Sequence, residues 1–208
     1  NLEAGRRYGV PTRGTAAHSF TLLHSSEAEA FAAQLGALGE DTTLLVDTYD
    51  IEAAVRTGVE LTDGRLGAVR LDSGDLAELA GEVRALLDSL GATKTRILVT
   101  SDLDEWQIAA LRGAPVDGFG VGTSLVTGSG APTCGFVFKL VARADSDEPG
   151  APLVPVAKKS VNKTSIGGRK FALRRLDARG NADAEVIGIG APPDGDARWP
   201  PRAAKRCP

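Results

Sequence analysis

The chain has 208 residues, 42% of them hydrophobic, which is enough for one large or two small domains with a sizeable core, and no apolar stretch is long enough for a transmembrane helix. Its two cysteines, Cys134 and Cys207, lack metal-ligand spacing, which argues against a disulfide scaffold or a zinc site and favours a reducing, cytoplasmic compartment. The net charge is −3, with 12 Lys/Arg against 22 Asp/Glu in residues 1–150 and 12 against 5 in residues 151–208.

The N-terminal part of the chain predicts one extended segment and one helix. Residues 1–17 are rich in Gly, Arg and Thr, and Pro11 and Gly14 indicate a short extended piece. The chain has no Met and begins within a pattern, so we expect a fragment that lacks its N-terminal region. Ser26 and Glu29 form a capping box that predicts a helix to about residue 38.

The middle of the chain alternates between strands and helices. Short apolar runs predict buried strands at residues 43–46, 66–71, 96–100 and 117–122. Between them, apolar residues at helical spacing predict helices from 51 to 56 and from 76 to 90. A third helix is predicted to end at 111, with Asp102 and Glu105 as its cap. This alternation is typical of parallel βα units in an open sheet or a barrel, where ligands bind at the carboxyl ends of the strands.

Polar side chains follow each predicted strand at its carboxyl end. A guanidinium grips a carboxylate or phosphate in a bidentate manner, and nearby acids can bind ribose hydroxyls or magnesium. The structural alternative for the second strand end is a helix cap by Asp75 and a surface Arg–Asp pair. A Gly-Val-Gly-Thr turn is a candidate phosphate cradle or a plain tight turn. The candidate residues at these ends are Asp47, Arg70, Asp72, Ser73, Gly74, Asp75, Ser101, Asp102, Gly120, Gly122 and Thr123.

Histidine and lysine offer further candidates. His18 suits a general base or a phosphate acceptor, or it merely flanks a helix, while His24 has no polar neighbours in sequence and is assigned no role. Asp47 would orient an imidazole or form a local turn. Lys158 is interpreted as solvated, as are the neighbouring lysines at 159 and 163.

The C-terminal part changes in character. We expect a strand at 136–141, a loop at 144–152, short strands around the Gly167-Gly168 turn between 155 and 175, and disorder from 192 onward. The excess of basic residues in this part fits binding of an anionic ligand or of an acidic partner surface, or else a solvated tail. No nucleic-acid or membrane partner is expected.

Together these motifs resemble the nicotinate phosphoribosyltransferase family. The resemblance covers nearly all of residues 1–175 and is carried by NLEAGRRYGVPTRGTAAHSF, LLVDTYD, VRLDSGDL, SDLDE, GFGVGTSL and KKSVNK, in that order. It implies a type II phosphoribosyltransferase fold, which is an irregular TIM-like α/β barrel joined to a second α/β domain. On this basis we expect a partial barrel at 1–143, a β-rich segment of the second domain at 152–190, and a disordered tail at 191–208.

The resemblance also implies a reaction and roles for residues. The family makes nicotinate mononucleotide and pyrophosphate from nicotinate and phosphoribosyl pyrophosphate, coupled to ATP hydrolysis through a phosphohistidine, here His18, which Asp47 would orient. Thr15 and Arg70 would contact nicotinate, and Asp72 the ribose hydroxyls; Gly122 and Thr123 would bind the phosphate. Magnesium is expected as cofactor, with its ligands unassigned. Family members commonly build sites between subunits, which leaves a homodimer open.

Two other readings stay open on the sequence. One is the related nicotinamide phosphoribosyltransferase, and the other is a non-catalytic, ligand-binding remnant of the family. If an N-terminal region is missing, barrel strands lack their neighbours, so we expect the isolated 208-residue chain to be inactive.

Overall fold

A computed structural model describes residues 2–12, 14–128, 137–160 and 164–193. The α-helices are α1 (Leu2–Tyr8), α2 (His18–Leu23), α3 (Glu27–Leu38), α4 (Ile51–Leu61), α5 (Leu76–Ser89), α6 (Glu105–Ala110) and α7 (Thr123–Thr127), with a 3-10 turn at Leu111–Gly113. The strands are β1 (Thr43–Leu45), β2 (Ala68–Leu71), β3 (Arg96–Val99), β4 (Gly118–Phe119), β5 (Ala142–Ala144), β6 (Leu153–Pro155), β7 (Lys170–Leu176) and β8 (Ala182–Ile189). None of the helices in these ranges is long and apolar enough to cross a bilayer.

The first four strands form one parallel sheet in the order β1-β2-β3-β4. This confirms the predicted βα rhythm, because each of these strands follows a helix and β2, β3 and β4 each pair with the strand before them in sequence. Leu45 is level with Arg70, and Arg70 is level with Leu98. The residues that follow β1, β2 and β3 therefore emerge at one edge of the sheet.

The core lies between this sheet and the helices α3, α4 and α5. Leu44, Val69 and Ile97 are fully buried in neighbouring strands, and Val83 and Leu87 pack against them from α5. Burying one such aliphatic side chain contributes about 1.5–3 kcal/mol. The predicted apolar face of α5 is confirmed, since its other leucines pack partly buried against the same core.

Helix caps were predicted with mixed success. Ser26 caps α3 by accepting the Glu29 N–H at 3.1 Å, as predicted. The predicted cap of α6 by Asp102 is wrong, because Asp104 caps it in a reciprocal box with Gln107. Ser101 adopts a φ of +128°, so the chain is still turning away from β3 at Asp102 and the helix begins only at Glu105.

Two segments differ from their predicted structure. Residues 2–8 form helix α1 rather than an extended piece, and this helix has no buried residue to give it an apolar period. Glu3 instead pairs with Arg6 and Arg7 one turn away, which supports the helix locally. Residues 137–141 form no strand; antiparallel pairing with β6 starts at Ala142, and residue 136 lies outside the described residues.

The chain divides into two compact units. One comprises the described residues within Asn1–Lys139 and Lys158–Ser165, and the other those within Leu140–Ala157 and Ile166–Pro208. The second unit contains two antiparallel pairs, β5 with β6 and β7 with β8, and Gly168 precedes β7 with a φ of +88°. The predicted loop at 144–152 connects β5 to β6. The disorder expected for the tail falls, beyond residue 193, outside the described residues.

Candidate active site

The carboxyl ends of β1 and β2 bring three predicted residues together with His18. Asp47 follows β1, and Arg70 and Asp72 lie at the end of β2. His18 is the first residue of α2, and its Nε2 lies 3.8 Å from Asp47 Oδ1 and 3.7 Å from Asp72 Oδ2. Thr15 joins the group through a hydrogen bond from Arg70. The first unit thus contains a compact cluster of one imidazole, two acids and a guanidinium.

Both nitrogens of the His18 imidazole have close polar neighbours. Nδ1 lies 3.0 Å from Thr48 Oγ1, and Nε2 lies 2.7 Å from Lys158 Nζ. Thr48 is fully buried and Lys158 is 3% exposed, whereas the His18 side chain is 18% exposed. The ring is therefore held from two sides while part of it stays accessible to a substrate.

Asp47 is the buried anion of the cluster. It is 0% exposed and accepts hydrogen bonds from the Ser73 hydroxyl and from the Asp72 N–H at 3.3 Å. Lys158 Nζ lies 3.6 Å from its Oδ2. Its Oδ1 lies 3.8 Å from His18 Nε2, beyond hydrogen-bonding distance, and Lys158 contacts both the imidazole and the Asp47 carboxylate.

Asp72 is held as a carboxylate in a partly buried position. Burial alone would raise the pKa of Asp72, but the neighbouring His18 imidazole, the Thr100 hydroxyl and the Arg70 guanidinium lower it to about 2. Arg70 reaches Asp72 with one terminal nitrogen at 3.6 Å and gives the other to Thr15 and the Ala16 carbonyl. Arg70 Nε is buried and has no hydrogen-bond partner in the described structure.

Four predicted binding residues line one cavity of about 410 Å³. Gly74 and Asp75 border it from the end of β2, and Ser101 and Asp102 from the end of β3. The Asp75 carboxylate also caps α5 by accepting the Ala77 and Glu78 N–H groups, so the structural role considered for it is present. The positive φ of Ser101 is a conformation that non-glycine residues rarely adopt, and such strain concentrates at functional sites.

The glycines after β4 serve different needs. A Cβ at Gly120 would lie 2.5 Å from the Thr100 side chain, so this glycine permits close packing of β4 on β3. A Cβ at Gly122 would meet no atom within 4 Å in the described structure. Gly122 precedes α7, and Thr123 is its first residue. Close packing therefore explains why residue 120 is a glycine. No packing requirement explains Gly122, so Gly122 and Thr123 remain the candidates for phosphate contact.

Sequence reasoning missed Thr48 and Lys158. The interpretation of Lys158 as a solvated lysine is wrong, since it is buried against His18 and Asp47. Its segment is tied to the end of β1 by a hydrogen bond from the Lys159 N–H to the Thr48 carbonyl at 3.0 Å. The sequence shows two consecutive lysines, and nothing in it indicates that Lys158 is buried while Lys159 is exposed.

Glu27, the first residue of α3, is a second unusual acid near this site. Burial, followed by the charges of Asp50 and Asp47, raises the pKa of Glu27 to about 7, and its Oε1 is buried without a hydrogen-bond partner among the described residues. The folded state therefore keeps a proton that the unfolded chain loses near pH 4.5. Stability should fall as the pH rises from about 4.5 to about 7, since the unfolded state binds fewer protons in this window.

We expect Glu27→Gln to remove this pH dependence. The variant should exceed the parent protein in unfolding free energy by about 1–3 kcal/mol at pH 8, a range reduced for solvent screening of this partly exposed carboxyl group, and match it near pH 4. Urea unfolding at both pH values measures this, with the exposed Glu60→Gln as the matched control. An equal effect of Glu27→Gln at both pH values would contradict the assignment of the proton to Glu27.

Comparison with solved structures identifies the fold. A crystal structure of nicotinate phosphoribosyltransferase from Porphyromonas gingivalis matches 80% of this chain and 47% of its own chain, with a TM-score of 0.69 at 20% identity. The chain thus has the α/β fold of the type II phosphoribosyltransferases, as predicted. No family model matches the chain.

Comparison with curated proteins identifies the family. The nicotinate phosphoribosyltransferase pncB1 of Mycobacterium tuberculosis is 55% identical over 202 residues, which cover 93% of this chain and 43% of the relative. The nicotinate phosphoribosyltransferase of Bacillus subtilis is 38% identical over 188 residues, 85% of this chain and 37% of the relative. The chain belongs to the nicotinate phosphoribosyltransferase family and spans less than half the length of these relatives.

Proposed function

We propose that the full-length protein transfers the phosphoribosyl group of phosphoribosyl pyrophosphate to nicotinate, in NAD salvage within the cytoplasm. The products are nicotinate mononucleotide and pyrophosphate, and ATP hydrolysis is coupled to the transfer through a phosphoryl group on His18. The observation that carries this proposal is the cluster of His18, Asp47, Arg70 and Asp72 at adjoining strand ends. The names of the curated relatives support the same reaction.

The transfer step needs charge stabilisation more than covalent chemistry. Loss of pyrophosphate leaves positive charge on the ribose C1 carbon, and the ionised Asp72 is suited to stabilise it and to accept ribose hydroxyls. Donors at the neighbouring strand ends suit the phosphate groups. We propose that Gly122 and Thr123 contact the 5′-phosphate, and that the other strand-end residues bind the rest of the substrate: Ser73, Gly74, Asp75, Ser101, Asp102 and Gly120.

Magnesium fits this chemistry as a companion of the substrate. The described residues contain no group of three or more His, Cys, Asp or Glu side chains that could hold a metal. Magnesium is commonly bound by one or two carboxylates together with substrate phosphates. We therefore propose that magnesium would enter with the pyrophosphate group and would neutralise the charge that develops there. Asp72 is the candidate carboxylate ligand, because it is ionised and partly exposed.

Arg70 accounts for the choice of nicotinate. Its guanidinium is 17% exposed and fixed beside Thr15, so a carboxylate-bearing pyridine could pair with it while nicotinamide offers no charge. A charge-assisted pair contributes on the order of 1.5–3 kcal/mol. The full-length enzyme should therefore prefer nicotinate by about ten- to a hundredfold in kcat/KM.

This preference is measured with both bases on the parent protein and on Arg70→Lys, which keeps the charge but loses the planar fork. Arg70→Lys should lose most of the discrimination, while Arg56→Lys, an exposed arginine paired with Glu52 on α4, should keep it. Equal kcat/KM values for the two bases in the parent protein would refute the nicotinate assignment and favour the nicotinamide enzyme. Substrate binding without turnover would favour a non-catalytic protein.

A further inference from the structure

The two contacts of the His18 ring define its protonation. A lysine ammonium has three donors and no acceptor, so the 2.7 Å contact from Lys158 Nζ requires a lone pair on His18 Nε2. The single ring proton of a neutral imidazole then lies on Nδ1. Thr48 Oγ1, 3.0 Å away, is positioned to accept that proton's hydrogen bond.

The charge balance of the cluster supports the neutral ring. Lys158 lies 3.6 Å from Asp47, and Arg70 lies 3.6 Å from Asp72, so two cations already pair with the two carboxylates. A protonated Nε2 would direct its N–H at the lysine ammonium across 2.7 Å, and two donors facing each other repel. The neutral form with its proton on Nδ1 satisfies the contacts with Thr48 and Lys158, and the two carboxylates, at 3.8 and 3.7 Å from Nε2, lie beyond hydrogen-bonding distance.

We propose that Thr48 and Lys158 together fix His18 as the Nδ1–H tautomer, whose Nε2 lone pair accepts from Lys158 in this structure and becomes the nucleophile when that hydrogen bond is released. Thr48 is a positioning residue, since it acts on the reaction through His18. The same residue anchors the lysine, because the Thr48 carbonyl accepts the Lys159 N–H at 3.0 Å. One buried residue at the end of β1 therefore sets both contacts of the ring.

The consequence for chemistry rests on the proposed function. The Nε2 lone pair forms the bond to the γ-phosphorus of ATP, and the electron pair of the broken P–O bond leaves with ADP. Nδ1 keeps its proton, and its hydrogen bond to Thr48 stabilises the positive charge that the ring acquires. Nε2 can then no longer accept a hydrogen bond from Lys158, and the Lys158 ammonium group lies beside the new phosphoryl group as its counter-ion.

The tautomer can be measured without ATP. In the full-length protein with ¹⁵N-labelled histidine, long-range ¹H–¹⁵N correlation spectra distinguish the protonated from the unprotonated ring nitrogen, and His18→Gln assigns the signals. His24 is an internal reference, because its Nδ1 lies 2.8 Å from the Phe20 carbonyl, which can only accept. His18 should show a protonated Nδ1 and an unprotonated Nε2. A protonated Nε2 in the parent protein would overturn the proposal.

Variants separate the two contacts. Thr48→Val keeps the side-chain shape but removes the hydroxyl, and it should shift His18 towards a tautomer mixture, while Thr48→Ser should retain the Nδ1–H form. Lys158→Met should likewise shift His18 towards a tautomer mixture, and Lys159→Met, at an exposed position, should leave the His18 tautomer unchanged. Unchanged His24 signals show that each variant is folded. An unchanged His18 tautomer in both folded Thr48→Val and folded Lys158→Met would also overturn the proposal.

A kinetic readout links the tautomer to the reaction. Thr48→Val should lower the rate of label transfer from γ-labelled ATP by about tenfold at saturating ATP with KM unchanged, and Thr48→Ser should restore it. A protonated Nδ1 with no label on His18 would refute the phosphohistidine of the proposed function and leave the tautomer assignment standing. Label on His18 with a protonated Nε2 would refute the tautomer assignment and leave the proposed phosphohistidine standing.

Discussion

Replacing His18 with alanine should abolish ATP-dependent phosphorylation of the full-length protein. The imidazole is the proposed phosphate acceptor, and its polar neighbours in the described structure are Asp47, Asp72, Thr48 and Lys158. A neutral imidazole nitrogen is a competent nucleophile when its other nitrogen is engaged as a donor. Acid-labile label from γ-labelled ATP should fall to background, and ATP should no longer stimulate turnover.

Some ATP-independent synthesis should survive in His18→Ala. In the proposed reaction, transfer of the ribosyl group relies on Arg70 and Asp72, whose contacts with Thr15 and Thr100 do not involve the imidazole. The matched control is His24→Ala, since His24 contacts Phe20 and none of the cluster residues in the described structure. Label that persists in His18→Ala would place the phosphate acceptor elsewhere in the protein.

The part of the site that could be predicted from the sequence is the part carried by strand order. Asp47, Arg70 and Asp72 each follow a short apolar run, and parallel pairing of successive strands brings such ends to one edge. Local periodicity and connection length contain that information. The same reasoning predicted the buried face of α5 and the cap of α3 by Ser26.

The missed residues depend on contacts that no local pattern encodes. Lys158 reaches His18 across 140 positions of sequence, and only the fold shows that it is buried while Lys159 is exposed. No role is assigned to Thr48 from the sequence, although its hydroxyl contacts the ring and its carbonyl accepts a hydrogen bond from the lysine segment. Helix α1 was missed because it buries no residue, so apolar periodicity could not indicate it.

Removing the Asp47 carboxylate should cost more stability than any surface change in the first unit. Asp47→Ala leaves the buried Lys158 ammonium without its anion and deprives the Ser73 hydroxyl and the Asp72 N–H of their acceptor. Breaking a buried ion pair on one side typically costs about 3–5 kcal/mol. Denaturant unfolding of the full-length protein should show a loss of this size for Asp47→Ala.

A double variant tests whether the loss arises from the broken ion pair between Asp47 and Lys158. Asp47→Ala with Lys158→Met removes both charges and retains an apolar side chain at the lysine position, so its loss should lie about 1–3 kcal/mol below the sum of the single variants. The exposed pair Glu52–Arg56 on α4 is the matched control, and removing either partner there should change stability by less than about 1 kcal/mol. Additive losses for Asp47 and Lys158 would show that the two charges do not stabilise each other. Sub-additive losses would show that Lys158, which contacts His18, is stabilised by the Asp47 carboxylate.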